Sequence, residues 1–474
     1  MALVAGVDSS TQSCKVVIRD SATGALIRSG RSSHPNGTEV HPDLWWDALQ
    51  AAIADAGGLD DVAAISIGGQ QHGMVLLGED GRVIRDALLW NDTRSAGEAK
   101  KLVQHFGAGF LAAQTGSIPV ASFTSTKVLW VAENEPQNAA RIAAICLPHD
   151  YLSWRLAGYG PVGESQFGPD LNALATDASD ASGTGYFNPR TGEYVTEILE
   201  HILGRVPKLP KVVEPGEVAY RADRTRNLFA GLIAGGAGDN AAAGLGAGAV
   251  DGDVVVSLGT SGTVFSVSAT PTADQSGTIA GFASASGSYL PLVCTLNAAR
   301  VLDAFAKLLE VTHDDLGKLA LQSQPGSEGI VLVPYFEGER TPNLPEAKAS
   351  ISGMTLHNST RSNFARAAIE GMLCGLADGL DALTAAGVKA DRILLVGGAA
   401  ANPAVQLVAT QVFGVPVVVP APGEYVADGA ARQSAWALDG SKPEWKIETL
   451  ATLPGDPQRV IRLQYHRVTS KLYS

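Results

Sequence analysis

The sequence predicts an α/β protein of two related domains, and three observations predict it. The chain has 474 residues, which is more than one ordinary core organises, so two or three domains are expected. Two stretches about half a chain apart share one pattern, strand, small polar turn, strand: residues 3–20, "LVAGVDSSTQSCKVVIRD", and residues 252–268, "GDVVVSLGTSGTVFSVS". Such a distant repeat suggests two domains that each begin on a hairpin. A third strand, in "DRILLVGGAAANPAVQLVATQVFG" (391–414), runs through Gly397-Gly398 into a helix beginning near Asn402-Pro403, with proline where a first helical turn accepts it.

Composition sets the outer limits. The chain is 45% hydrophobic and 18% charged, with a mean hydropathy of +0.09, as globular domains are. Its net charge of −13 argues against a general nucleic-acid or anionic-membrane surface, so no nucleic-acid or membrane partner is expected. Any bound phosphate must then be held locally, by backbone N–H groups, a metal or a few basic residues. The four cysteines (Cys14, Cys146, Cys294, Cys374) are far apart and lack metal-site spacing. With no signal peptide at the N-terminus and no apolar run of membrane-spanning length, they read as reduced, mostly buried thiols in a cytoplasmic protein.

Each polar turn poses a choice. In the first hairpin Asp8 ends the strand and Ser9, Ser10, Thr11 and Gln12 follow. These residue types suit a plain turn, and they equally suit a turn that offers N–H and O–H donors to an anion, with Asp8 near a cation. The second hairpin turns through Gly259, Thr260, Ser261 and Gly262. Neither is a Walker-type loop, since no Gly-Lys-Ser/Thr string is present. Gly397-Gly398 lets another backbone or a flat ligand come close, and the helix N-terminus that follows favours negative charge. Together the three turns fit a nucleotide cleft.

Between the hairpins, "LIAGGAGDNAAAGLGAGAV" (232–250) runs through glycines to a single carboxylate, Asp239, followed by Asn240 and a helix of Ala and Gly able to pack very closely. Asp239 is either a helix cap or a base placed to take a proton from a substrate hydroxyl, and the two roles are compatible. On the substrate side, "AISIGGQQHGMVLL" (64–77) interrupts a strand with Gly68, Gly69, Gln70, Gln71 and His72. Amides and an imidazole inside an apolar pattern need partners; a polyol or an internal network would serve. "LLWNDTR" (88–94) adds Trp90, Asn91, Asp92 and Arg94, with a surface turn as its rival reading. His34, His41, Trp45 and Trp46 read as packing at a helix start. No His/Asp/Glu cluster has the spacing of a protein-built metal cage, so any metal would be Mg²⁺ held largely by phosphate and water.

These residues resemble the FGGY family of sugar kinases over essentially the whole chain. The resemblance is carried by both family signature stretches, "SFTSTKVLWV" (122–131) and "ASISGMTLHNSTRSNFARAAIEG" (349–371). "GGQQHG", "LLWNDTR", "LPHDYLSWRLAG", "GAGDNAAAG", "SLGTSG", "PYFEGERTP" and "LLVGGAAANP" add to it, in that order. It implies two actin-like (ribonuclease-H-like) α/β domains flanking a central catalytic cleft, here residues 1–245 for sugar and the base, and 246–474 for nucleotide. It further implies ATP and Mg²⁺ as cofactors and Asp239 as catalytic base, with Asp8 near the Mg²⁺–phosphate group, so that both aspartates are metal candidates. Gln71 and His72 match the sugar-contacting pair, with Asn240 and Trp90 as further substrate-side residues. Thr11, Gln12, Thr260, Ser261 and Gly262 fall in the phosphate turns, and Gly397, Gly398 and Asn402 in the adenosine turn. Among family activities the closest likeness is to phosphorylation of D-xylulose to D-xylulose 5-phosphate in xylose catabolism. Gln71 stands where Met is common in that branch and Ala237 where a third Gly is. The "GGAAANP" turn is more like that of glycerol kinases. Ribulose, another ketose, glycerol, or an actin/Hsp70-like ATP switch without sugar chemistry remain as alternatives, and a homodimer stays open.

Overall fold

The computed structural model describes residues 2–223 and 228–473, which form two compact units. The first comprises residues 1–248, 271–290 and 423–446; the second comprises 249–270, 291–422 and 447–474. A single cut at 245/246 therefore leaves two later segments, 271–290 and 423–446, packed with the first unit.

In the first unit β1 (Leu3–Ser9), β2 (Ser13–Asp20) and β3 (Leu26–Ser33) form an antiparallel meander. After α1 (Pro42–Asp55), β4 (Val62–Gly69) returns parallel to β1. Later come α2 (Thr124–Asn134), α3 (Pro148–Leu156) and the single turn α4 (Ala178–Ala181). β5 (Val218–Ala222) and β6 (Gly231–Ala234) close the sheet, which runs β5-β6-β4-β1-β2-β3. β1 is buried almost throughout, as a central strand covered on both faces must be. Its Gly6 is required: a Cβ there would lie 1.9 Å from the Ala427 carbonyl of the helix Tyr425–Asp439. That helix also presses on α5 (Asp239–Gly246) through Gly429, whose Cβ would lie 1.9 Å from the Ala242 carbonyl. The close packing expected of the Ala/Gly run is thus present, and it fixes the position of Asp239.

The second unit repeats the spatial order of the strands. β7 (Asp253–Leu258), β8 (Gly262–Ser266) and β9 (Tyr289–Thr295) make the antiparallel meander. The long α6 (Arg361–Ala385) precedes β10 (Arg392–Val396), which is parallel to β7. α7 (Pro403–Phe413), β11 (Val417–Pro420) and the antiparallel edge strand β12 (Thr449–Leu453) complete it. The order β9-β8-β7-β10-β11-β12 corresponds in space to β3-β2-β1-β4-β6-β5, although the edge strand β12 follows β11 in the chain whereas β5 precedes β6. Both polar hairpins seen in the sequence are the first two strands of their sheet. All four cysteines are free thiols, and among the described residues no helix is long and apolar enough to cross a membrane.

Candidate active site

In the first unit the candidate residues lie at the strand ends of β1 and β4 and at the start of α5. Asp8 is buried near the end of β1. Burial pushes its carboxyl up, while the Ser10 hydroxyl, which donates to it, and Lys15, 3.8 Å away, pull the other way. Beyond Asp8 the turn continues through Thr11 and an exposed Gln12. Trp90 is partly exposed, and its indole N–H donates to Thr11 Oγ1 at 2.8 Å. Trp90 therefore braces the turn.

β4 ends on Gly68-Gly69, and the two-residue strand Ala237–Gly238 pairs parallel with those glycines. This pairing sets Asp239 beside the Gln-Gln-His string. Asp239 is the first residue of α5, whose N-cap is Gly238, so the capping role falls to its neighbour. Asp239 Oδ1 accepts from the Asn240 backbone N–H at 2.7 Å and side-chain Nδ2 at 2.9 Å. The residue keeps a partly open surface, but its carboxylate is densely surrounded. Burial, with the Asp8 charge adding to it, raises its pKa to about 7 against the pull of the Asn240 bonds.

Gln71 is tied at both ends: Nε2 donates to the Ser179 carbonyl at 3.3 Å, and Oε1 accepts from Asn240 Nδ2 at 3.5 Å. It links Asn240, and through it Asp239, to the turn at α4. His72 has φ +69°, a left-handed conformation that costs an L-residue roughly 1–2 kcal/mol. Its Nδ1 lies 2.6 Å from the Gly183 carbonyl, an acceptor that places a proton on Nδ1.

Sequence reasoning missed a polar cluster beneath these residues. His149 on α3 is fully buried, with Asp150 at 2.9 Å, Asp177 at 3.5 Å and Asp180 at 3.7 Å. Burial would push the imidazole down, but the three carboxylates overcome it and raise it to about 9. Burial holds Asp177 and Asp180 above the usual carboxylate range, opposed by His149. Asp177 caps α4, and between the two aspartates Ser179 accepts from the Gly238 N–H at 3.1 Å. The cluster thus anchors the turn that holds Gln71, His72 and the residue before Asp239. Lys127 is also fully buried, and burial lowers its amine to about 7, against the charge of Asp92. "LPHDYLSWRLAG" and "SFTSTK" were visible in the sequence; their partners were not.

In the second unit Thr260 and Ser261 lie at the tip of the β7–β8 hairpin, one exposed and one partly so, and Gly262 is buried. Gly397 has φ +98°, and a Cβ on it would lie 2.6 Å from the Leu258 carbonyl, so only glycine fits against the end of β7. Gly398 is exposed, with open space where a Cβ would be. Asn402 caps α7: Oδ1 accepts from the Ala404 N–H at 2.9 Å and Nδ2 donates to the His313 carbonyl at 3.0 Å. Its amide shapes the turn. Asp378, Asp381 and His466 come together in this unit, but the Arg462 guanidinium bonds all three.

Comparison with known proteins shows the family of the chain. The model of the FGGY family of carbohydrate kinases matches at residues 3–246 for its N-terminal domain and 254–438 for its C-terminal domain. The chain belongs to this family, and is an ATP-dependent sugar kinase of the actin-like, ribonuclease-H-like fold. A xylulose kinase of Streptomyces rubiginosus is 43% identical over 451 residues, 93% of this chain and 89% of that protein. One from Haemophilus influenzae is 33% identical over 477 residues, 94% of this chain and 93% of that one. The crystal structure of xylulose kinase from Bifidobacterium adolescentis superposes with a TM-score of 0.92 at 48% identity, covering 99% of both chains.

Proposed function

We propose that this kinase transfers the γ-phosphoryl group of ATP to D-xylulose, giving D-xylulose 5-phosphate in the cytoplasmic breakdown of xylose. The observation that carries the chemistry is Asp239: a carboxylate with a pKa of about 7, on a helix pinned by close packing, beside an amide–imidazole string. A general base works best when its pKa lies near the working pH. The choice of ketose is supported by relatives named for xylulose that align over nearly the whole chain.

The sugar falls to the first unit and its 1–245 stretch, the nucleotide to the second. His72 and Gln71 meet the ketose, with Asn240 and Trp90 as supports. Asp239 takes the proton of the primary hydroxyl as it attacks phosphorus. Little covalent work is left to the protein beyond positioning and charge stabilisation. Backbone donors around Thr11, Gln12, Thr260, Ser261 and Gly262 hold phosphate oxygens, and the turn of Gly397, Gly398 and Asn402 holds adenosine. Asp8 and Asp239 are hard oxygen donors, and the Asp8 charge raises Asp239, a repulsion that a divalent cation relieves; they fit Mg²⁺. When bound, Mg²⁺ neutralises charge on the phosphoryl oxygens.

ADP release measured over a panel of D-xylulose, D-ribulose, other ketoses and glycerol tests the reading. The highest kcat/KM is expected for D-xylulose. A better acceptor elsewhere in the panel would reassign the sugar, and ATP turnover indifferent to every sugar would favour a switch.

A further inference from the structure

The stretch 122–131 has no part in the chemistry above, yet its polar side chains converge on one residue of the sugar site. Lys127 Nζ donates to the His72 backbone carbonyl at 3.0 Å, and Thr124 Oγ1 donates to the same oxygen at 3.2 Å. Lys127 also donates to the Ser122 carbonyl at 2.6 Å, tying the entry of α2 to its first turn. The Phe123 ring lies 4.7 Å from the imidazole. On the far side Gly183 gives the ring its room, because a Cβ there would lie 2.9 Å from His72 Nδ1 and displace it.

A left-handed residue directs its carbonyl away from the course that the β-region would give it. Two buried donors are aimed at that oxygen, and the Thr124 hydroxyl and one Lys127 N–H lose this acceptor if His72 leaves the left-handed region. A lysine with no exposed surface is rare unless its ammonium has such partners. We propose that Lys127, assisted by Thr124, is the positioning residue that locks the His72 backbone in its left-handed form and thereby aims the imidazole at the ketose. The proposal rests on the assignment of His72 to the sugar. The clamp works in either protonation state of the amine, since both carry N–H donors. Without it the carbonyl loses two donors, and His72 relaxes to the common backbone region with its ring turned.

A double-mutant cycle on the full-length enzyme tests this, with kcat and KM measured for D-xylulose and for ATP in wild type, H72A, K127M and the double variant. K127M should raise the D-xylulose KM by about 10-fold, leave the ATP KM within about 2-fold, and have under about 2-fold effect on D-xylulose once His72 is Ala. T124V, nearly isosteric, should act in the same direction by about 3-fold and lose its effect in the H72A background, which keeps the test available if K127M does not fold. Equal rises in both KM values, or the same factor with and without His72, would overturn the proposal while H72A still weakens the sugar. An H72A variant with an unchanged D-xylulose KM would overturn the sugar-site reading and the clamp with it.

Discussion

Replacing Asp239 by Asn separates the demands of catalysis from those of folding. The substitution keeps the Oδ1 acceptor for the Asn240 donors and removes the charge. Burial raises the carboxyl from its ordinary 3.8 to about 7 in the folded chain. A shift of about three units corresponds to roughly 4 kcal/mol at 1.36 kcal/mol per unit. Its sign follows from linkage: a group raised on folding contributes most below its unfolded pKa, and that contribution is lost as pH rises through the folded value. Wild type therefore loses stability between about pH 4 and pH 7, and D239N does not. The partly open surface of Asp239 reduces the expected gain to about 2 kcal/mol, so D239N should be more stable by that amount at pH 8 and nearly equal at pH 4. Urea unfolding of metal-free, nucleotide-free protein at the two pH values measures it. Turnover should fall by about 10²–10⁴-fold. A variant no more stable at pH 8 than wild type, or one with near-normal turnover, would refute the reasoning.

H72A should weaken D-xylulose binding by about 1–3 kcal/mol in calorimetry and leave ATP affinity alone. Removing the buried cation in H149L strands three carboxyl groups and should cost about 3–5 kcal/mol near pH 7. With its folded pKa raised to about 9, His149 contributes fully below pH 6.5, so the gap to H149L should close as pH rises through 9; a gap constant with pH would mean an uncharged imidazole. G429A forces a Cβ to within 1.9 Å of the Ala242 carbonyl on the helix bearing Asp239. It should cost about 1–3 kcal/mol of stability and lower turnover without altering ATP affinity, and a silent G429A would mean the helix contact is easily moved.

Much of the proposed site is legible in the sequence because its signals are local. Asp8 with its hydroxyl turn, Gly259–Gly262 and Gly397-Gly398 interrupt apolar strands with residues that only turns or ligands explain, and the matching hairpins announced the repeated sheet. Pro403 announced α7 and its Asn402 cap. The supporting layer was hidden because its partners lie far apart in the chain. Lys127 reads as one more helical lysine until its bond to the His72 carbonyl is seen, and His149 until three aspartates surround it. Gln71 reads as a sugar contact, and its further bonds to Ser179 and Asn240 have no signal in the sequence because those partners are distant in the chain. The return of residues 271–290 and 423–446 to the first unit left no mark in composition. The helix Tyr425–Asp439 is buried on nearly every side through small residues, with Arg432, Gln433 and Ser434 among them, and shows no apolar stripe to read.

The pH dependence of kcat/KM for D-xylulose tests the central claim, that Asp239 is the base, most directly. Burial and the Asp8 charge raise Asp239 to about 7 in metal-free protein, and a bound cation lowers it by relieving the Asp8 repulsion. Wild type should therefore lose activity tenfold per pH unit below a midpoint between the ordinary carboxylate range and about 7, and the residual activity of D239N should show no such limb. An acid limb that persists unchanged in D239N would place the base elsewhere.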